Sequence, residues 1–132
     1  MSTTLAAITY LVRDYDEATA WFTGALGFAL IEDTDLGDGK RWILVSSHGG
    51  GVRLLLAKAV GQAQMEAIGK AVGGRVAFFL HTENFQRDHA RMIAAGVKFN
   101  EPPRHEPYGT VAVFQDLYGN FWDLIEPRVS KN

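Results

Sequence analysis

Apolar residues first gather over Leu5–Val12, a short strand-like run, and then switch to helical spacing. Ala18, Trp21, Phe22, Ala25 and Leu26 form one stripe of a helix. Asp14 opens that helix as N-cap with Glu17 three residues on, and Gly27 stops it. Strands follow over Phe28–Asp33, Arg41–Ser46 and Val52–Ala57, separated by the turns Gly37-Asp38-Gly39 and Gly49-Gly50-Gly51. The order is β-α-β-β-β. Ala59–Gly74 reads as a linker with a short helix carrying Met65, Ile68 and Val72 on one face.

The pattern then repeats. Val76–Leu80 is an apolar strand, and Asn84 caps a helix running to about Ala95, with Phe85, Met92 and Ile93 inward. Gly96 ends it. Val97–Asn100 is a short strand broken by Pro102-Pro103, and strands follow over Thr110–Phe114 and Phe121–Ile125, again giving β-α-β-β-β. A shift of about 70 residues lays Tyr15 on Phe85, Ala20 on Ala90, Phe22 on Met92 and Gly39 on Gly109. Such self-similarity predicts a duplicated α+β unit of about 55 residues, too small to bury an adequate core alone. We therefore expect a single domain over residues 1–132 built of two βαβββ modules, about 4–58 and 75–127, forming half-barrels around a cavity.

Composition narrows the chemistry. Thirteen basic and fifteen acidic residues are scattered along the chain, with no nucleic-acid footprint. Cysteine is absent, which excludes disulfides, thiolate nucleophiles and Cys-based metal sites. Met1-Ser2-Thr3-Thr4 has no basic leader pattern and no apolar run reaches membrane-spanning length, so no membrane association and a cytoplasmic location are expected. Gly49-Gly50-Gly51 lacks the helix and lysine of a phosphate loop, and no nucleophile elbow is present. His48, His81, His89 and His105 do not cluster in sequence; His81, at a strand end, has the best route to a cavity rim. One acid stands out. Asp123 sits inside the apolar strand Phe121–Ile125, as a metal ligand, half of an ion pair, or a tolerated charge.

Two stretches, Val12–Phe28 (VRDYDEATAWFTGALGF) and Phe114–Pro127 (FQDLYGNFWDLIEP), together with the duplication, resemble the vicinal oxygen chelate superfamily of glyoxalases, extradiol dioxygenases and bleomycin-resistance-type binding proteins. The second stretch resembles its closing hairpin, where a D-x-x-G-N turn leads into the last strand. The resemblance implies a divalent metal held from the first and last strand of each half. Counted from this chain's landmarks, those positions are Ala7, Arg53 or Leu55, Arg75, and Asp123. Only Asp123 can bind such a cation, and an always-charged guanidinium repels it. No metal or other cofactor is therefore expected.

The resemblance places the first and last strands of a half side by side, which sets Arg75 against Asp123 as an ion pair. By strand alternation, Phe79 and His81 share the cavity side with Arg75, and Phe121 with Asp123. In the first half, Arg53 would line the other wall; one of Arg41 and Trp42 faces in, with Trp42 a candidate stacking surface; Tyr108 stands at a strand entrance. The expectation is a protein that binds a small organic ligand between aromatic walls (Trp42, Phe79, Phe121, Tyr108) with Arg75, Asp123 and Arg53 as polar anchors. The alternative is a glyoxalase-type lyase or isomerase, or an extradiol dioxygenase, with a displaced or dimer-completed metal site. The resemblance also implies a homodimer.

Overall fold

The computed structural model of the chain describes residues 1–128. They form two compact units, Met1–Ile68 and Gly69 onward. The first contains β1 (Ala7–Val12), α1 (Tyr15–Gly24), β2 (Ala29–Gly37), β3 (Lys40–Ser46), β4 (Arg53–Lys58) and α2 (Gly61–Ala67). The second contains β5 (Val76–His81), α3 (Phe85–Ala94), β6 (Lys98–Phe99), β7 (Arg104–Glu106), β8 (Gly109–Gln115) and β9 (Phe121–Pro127).

The two sheets share one wiring scheme. Strand order is β1-β4-β3-β2 in the first and β5-β9-β8-β6 in the second, with β7 also on β8. In each, the first strand lies parallel to the last and all other pairs are antiparallel. The main departures from the expected elements are an additional strand, β7, and a shorter linker helix. α2 buries no residue, and Met65 is exposed rather than holding an apolar face inward.

In the first unit α1 covers one face of the sheet. Asp14 caps it by accepting from Glu17 N at 2.8 Å. Phe22, fully buried, meets the Tyr10 ring edge-on at 5.1 Å and Phe28 at 5.5 Å, above Val12, Ile43, Val45, Leu54 and Leu56. Arg41 ties the far strands to the helix: it donates to Asp33 from Nε (3.2 Å) and Nη2 (2.6 Å) and to Asp16 from Nη1 (2.8 Å), and lies 5.4 Å over the Tyr15 ring. These hydrogen bonds hold the Asp33 carboxyl below its usual range.

In the second unit α3 plays the same part, capped by Asn84 Oδ1 accepting from Arg87 N at 3.0 Å. Phe85 and Met92 are buried beside Trp122, Phe114 and Leu124. Trp122 stacks on Phe114 at 5.7 Å and lies 4.5 Å from the Phe78 ring. The outer strand is continuous in the first sheet but broken in the second. Pro102 and Pro103 separate β6 from β7, because proline brings no N–H to the ladder. Glu101 bridges the gap: its Oε1 accepts from Val113 N at 3.2 Å, where a neighbouring backbone carbonyl would otherwise stand.

The β8–β9 turn is organised by one buried carboxylate. Asp116 Oδ1 accepts from Tyr118 N and Asn120 N, and Oδ2 from Asn120 Nδ2 and Trp122 Nε1, all at 3.0 Å. The chain reverses at Gly119, whose φ of 88° suits glycine. At the other end of the hairpin, Gly109 lies so close to its neighbour that a Cβ there would stand 2.2 Å from Glu126 O.

Asp116→Ala strands these buried donors and is expected to cost about 3 kcal/mol or more, read as a drop in the urea midpoint followed by Trp fluorescence. Gly109→Ala is expected to cost about 2 kcal/mol or more because backbone stands where its methyl must go, whereas Gly39→Ala, at φ 77° with open space around it, is expected to cost about 1 kcal/mol. Equal melting temperatures for the two glycine variants would contradict the close approach.

Candidate functional site

Strand register shows what each uncovered sheet face presents. In the first unit Ala7 pairs with Arg53, Thr9 with Leu55 and Ser46 with Arg53, while Trp42 pairs with Thr34. Alternation therefore puts Arg53, Leu55, Thr9 and Trp42 on the face away from α1. Arg41 takes the helix side and Trp42, 40% exposed, the open side.

In the second unit Phe79 pairs with Asp123 and His81 with Ile125 on β5–β9; Val113 pairs with Asp123 and Gln115 with Phe121 on β8–β9. Arg104 pairs with Val111 across the edge. The face away from α3 thus carries Phe79, His81, Phe121, Asp123 and Arg104. Phe79 is 63% exposed, a large apolar ring left to solvent directly beside the acid. Tyr108 is also exposed, near enough to Arg104 to add slightly to the raised pKa of its guanidinium.

Arg75 does not pair with Asp123. It lies before β5 and is exposed, and the ladder slips between Val76 and Phe78. That irregularity breaks the alternation assumed along Arg75, Ala77 and Phe79, and Phe79 rather than Arg75 becomes the cross-strand partner of Asp123. The cation whose charge acts on Asp123 is Arg104. Arg104 is itself engaged, donating from Nε to Glu101 at 2.9 Å and from Nη1 to Glu106 at 2.8 Å. Asp123 Oδ1 is buried with no hydrogen-bond partner. Burial, reinforced by the charge of Glu101 and opposed by Arg104, raises the Asp123 carboxyl above its usual value.

Glu101 and Arg104 were not visible as site residues in the sequence. The Pro102-Pro103 break beside them was the available signal, since an interrupted edge strand turns side chains in new directions.

The four positions implied for a metal do not fit one. Ala7 faces Arg53, Arg75 stands outside its strand, and Asp123 faces Phe79, leaving one carboxylate with no second donor in register. Among the described residues, no group of three or more His, Asp or Glu side chains is arranged to hold a metal ion. His105 turns to the other side of the sheet from Arg104 and Glu106, its Nδ1 3.2 Å from Thr110 Oγ1.

A concavity of about 400 Å³ lies on the α3 side between the start of α3 and β7, with Gln86, His89, His105 and Glu126 in its wall. Glu126 Oε1 accepts from Phe85 N at 2.7 Å. His89 stacks on Phe85 at 5.2 Å and lies 4.4 Å from the Phe99 ring; burial lowers its pKa and favours the neutral imidazole.

The sequence model of the Glyoxalase/Bleomycin resistance protein/Dioxygenase superfamily matches residues 4–124. An uncharacterized protein of Shewanella frigidimarina (strain NCIMB 400) is 49% identical over 128 residues, covering 96% of this chain and 95% of its own. Among solved structures, UcmS2 has a TM-score of 0.81 at 31% identity, over 96% of this chain and 99% of that one. TnmS3, an antibiotic binding protein from Streptomyces sp. CB03234, has a TM-score of 0.78 at 26% identity, over 97% and 99%. With this match across nearly its whole length, the chain belongs to the glyoxalase/bleomycin resistance protein/dioxygenase superfamily.

Proposed function

We propose that this protein binds a small organic molecule against the open face of its second sheet and does so without the divalent metal of its enzymatic relatives. One observation carries the reading: the second sheet leaves a large aromatic ring, Phe79, exposed beside a carboxylate oxygen that is buried and unpartnered. Exposed aromatic surface and an uncompensated, partly buried carboxylate both cost free energy in an empty protein, and a ligand that covers the ring and brings a donor to the carboxylate relieves both. Pockets for organic molecules combine apolar walls with a few placed polar groups in this way. That TnmS3, of the same fold, is an antibiotic binding protein supports a role in binding rather than turnover.

In this role Phe79 and Phe121 supply stacking surface, Tyr108 a rim, and Asp123 an anchor for a hydrogen-bond donor, while Trp42 is a stacking surface on the separate open face of the first sheet. Arg53 and His81 offer polar contacts on their respective faces, and Arg75 is left at the margin of β5. The action is sequestration or sensing, carried out in the cytoplasm by a homodimer. No helix among the described residues is long and apolar enough to cross a membrane.

Titration with a panel of polycyclic aromatic antibiotics, followed by NMR, is expected to give saturable shifts at Phe79 and Phe121. Phe79→Ala should weaken binding about tenfold through lost stacking and apolar contact, with little change in melting temperature because the ring is largely exposed. Shifts absent across the panel, or near-stoichiometric zinc, nickel, manganese or iron in protein purified without chelator, would overturn the reading.

A carboxylate kept for a ligand costs the empty fold. Because the folded pKa of Asp123 is raised, the ionised form opposes folding; the cost is full above the folded pKa and disappears as pH falls below the unfolded value near 3.8. Asp123→Asn is therefore expected to melt higher than the parent at neutral pH, with the gap closing on acidification. A lower melting temperature at neutral pH would make Asp123 a structural group instead.

A further inference from the structure

We infer that the ligand on the open face of the second sheet is an arylalkyl ammonium: a flat ring stacked on Phe79 carrying, on a short alkyl arm, a protonated amine that donates to Asp123. This rests on the binding role proposed above and specifies its chemistry.

The charges on that face decide the sign of the ligand. β9 contributes Asp123; β8, beside it, contributes no charge; β5 contributes Phe79 and His81; the broken edge contributes Lys98, opposite Gln115, then Glu101, Arg104 and Glu106. Three carboxylates therefore stand against two cations: Arg104 already donates to Glu101 and Glu106, and Lys98 lies out on the edge strand at the Gln115 level, one pair along the ladder from Asp123, which leaves Asp123 without a cation of its own. An anionic group placed over Asp123 would meet that carboxylate and Glu101, with the Arg104 donors committed. A neutral alcohol would satisfy the Asp123 oxygen but leave its charge uncompensated. An ammonium supplies both the donor and the charge, and such charge-assisted bonds are the stronger kind.

The second observation is the carboxylate itself. Neither oxygen of Asp123 has a hydrogen-bond or ion-pair partner among the described residues; Oδ1 is closed to solvent, so a ligand meets the carboxylate at Oδ2, and the acid is not merely part of a solvated acidic patch. The third is the ring beside it. Phe79 is the cross-strand neighbour of Asp123 and is exposed, so a ligand ring stacked there places a short amine arm over the carboxylate. A cation near an aromatic face gains a further contribution.

The test uses three probes with one ring system: 2-(1-naphthyl)ethylamine, 2-(1-naphthyl)ethanol and 1-naphthylacetate, titrated by NMR and calorimetry into the full chain and into Asp123→Asn. The amine is expected to bind about tenfold or more tighter than the alcohol and tighter still than the acid, and the amine's advantage over the alcohol should shrink to about threefold or less in the variant. Acetate binding as tightly as the amine, or an amine preference unchanged in Asp123→Asn, would overturn the inference while leaving an aromatic-binding face in place. Failure of all three probes to shift Phe79 or Phe121 in folded protein would overturn the inference together with the binding role beneath it.

Discussion

The second unit depends on the Asp116 carboxylate. A hairpin of two seven-residue strands has many registers open to it, and a slip of one residue would send every side chain of β9 to the opposite face. Asp116 removes that freedom by accepting from two backbone amides of the turn and, beyond it, from the Asn120 amide and the Trp122 indole. The indole bond matters most for the site. It holds Trp122 on the helix side, in the stack with Phe114 and Phe78, and the next residue, Asp123, is thereby committed to the open side. One polar cluster in the turn sets both the core and the site.

That commitment explains an otherwise costly arrangement. Asp123 is not paired in the folded chain: Phe79 is its neighbour on β5, Val113 on β8, and the nearest acting cation belongs to Glu101 and Glu106. A buried charge retained for stability would have a partner, because an unpartnered one opposes folding. The register offers no alternative placement without moving Trp122 and Asp116 as well. The charge is best understood as a feature of the face and not of the core.

Much of this was legible in the sequence because it was written in local chemistry. The capped helices opening at Asp14 and Asn84, the glycines ending them, and the D-x-x-G-N turn each have a short-range physical cause, so the elements fell close to their observed bounds. The repeat at about 70 residues anticipated two sheets with one wiring order. The shared face of Phe121 and Asp123 followed from counting by twos within β9; Phe79 was counted from Arg75, across the slip at the start of β5 that also undoes the expected Arg75–Asp123 pair, and alternation carries no information across a slip. The involvement of Glu101 and Arg104 was likewise hidden, since it depends on how a broken strand meets its neighbour and not on any local pattern.

The same break accounts for how two copies of one topology came to present different chemistry. In the first sheet the edge strand β2 pairs with β3 along its length, and the strong ion pairs, Arg41 with Asp33 and Asp16, lie on the helix side where they brace the fold. In the second, Pro102 and Pro103 stop the edge strand short, Glu101 turns in to occupy the empty position at Val113, and Arg104 follows it onto the open side. A prohibition on backbone hydrogen bonding at two residues thus delivers a carboxylate and a guanidinium to the side of the sheet that holds Asp123. The edge brings two acids, Glu101 and Glu106, and two bases, Lys98 and Arg104, so the surplus carboxylate of that face is Asp123 itself, and the edge can vary with the loop without disturbing the core on the other side of the sheet.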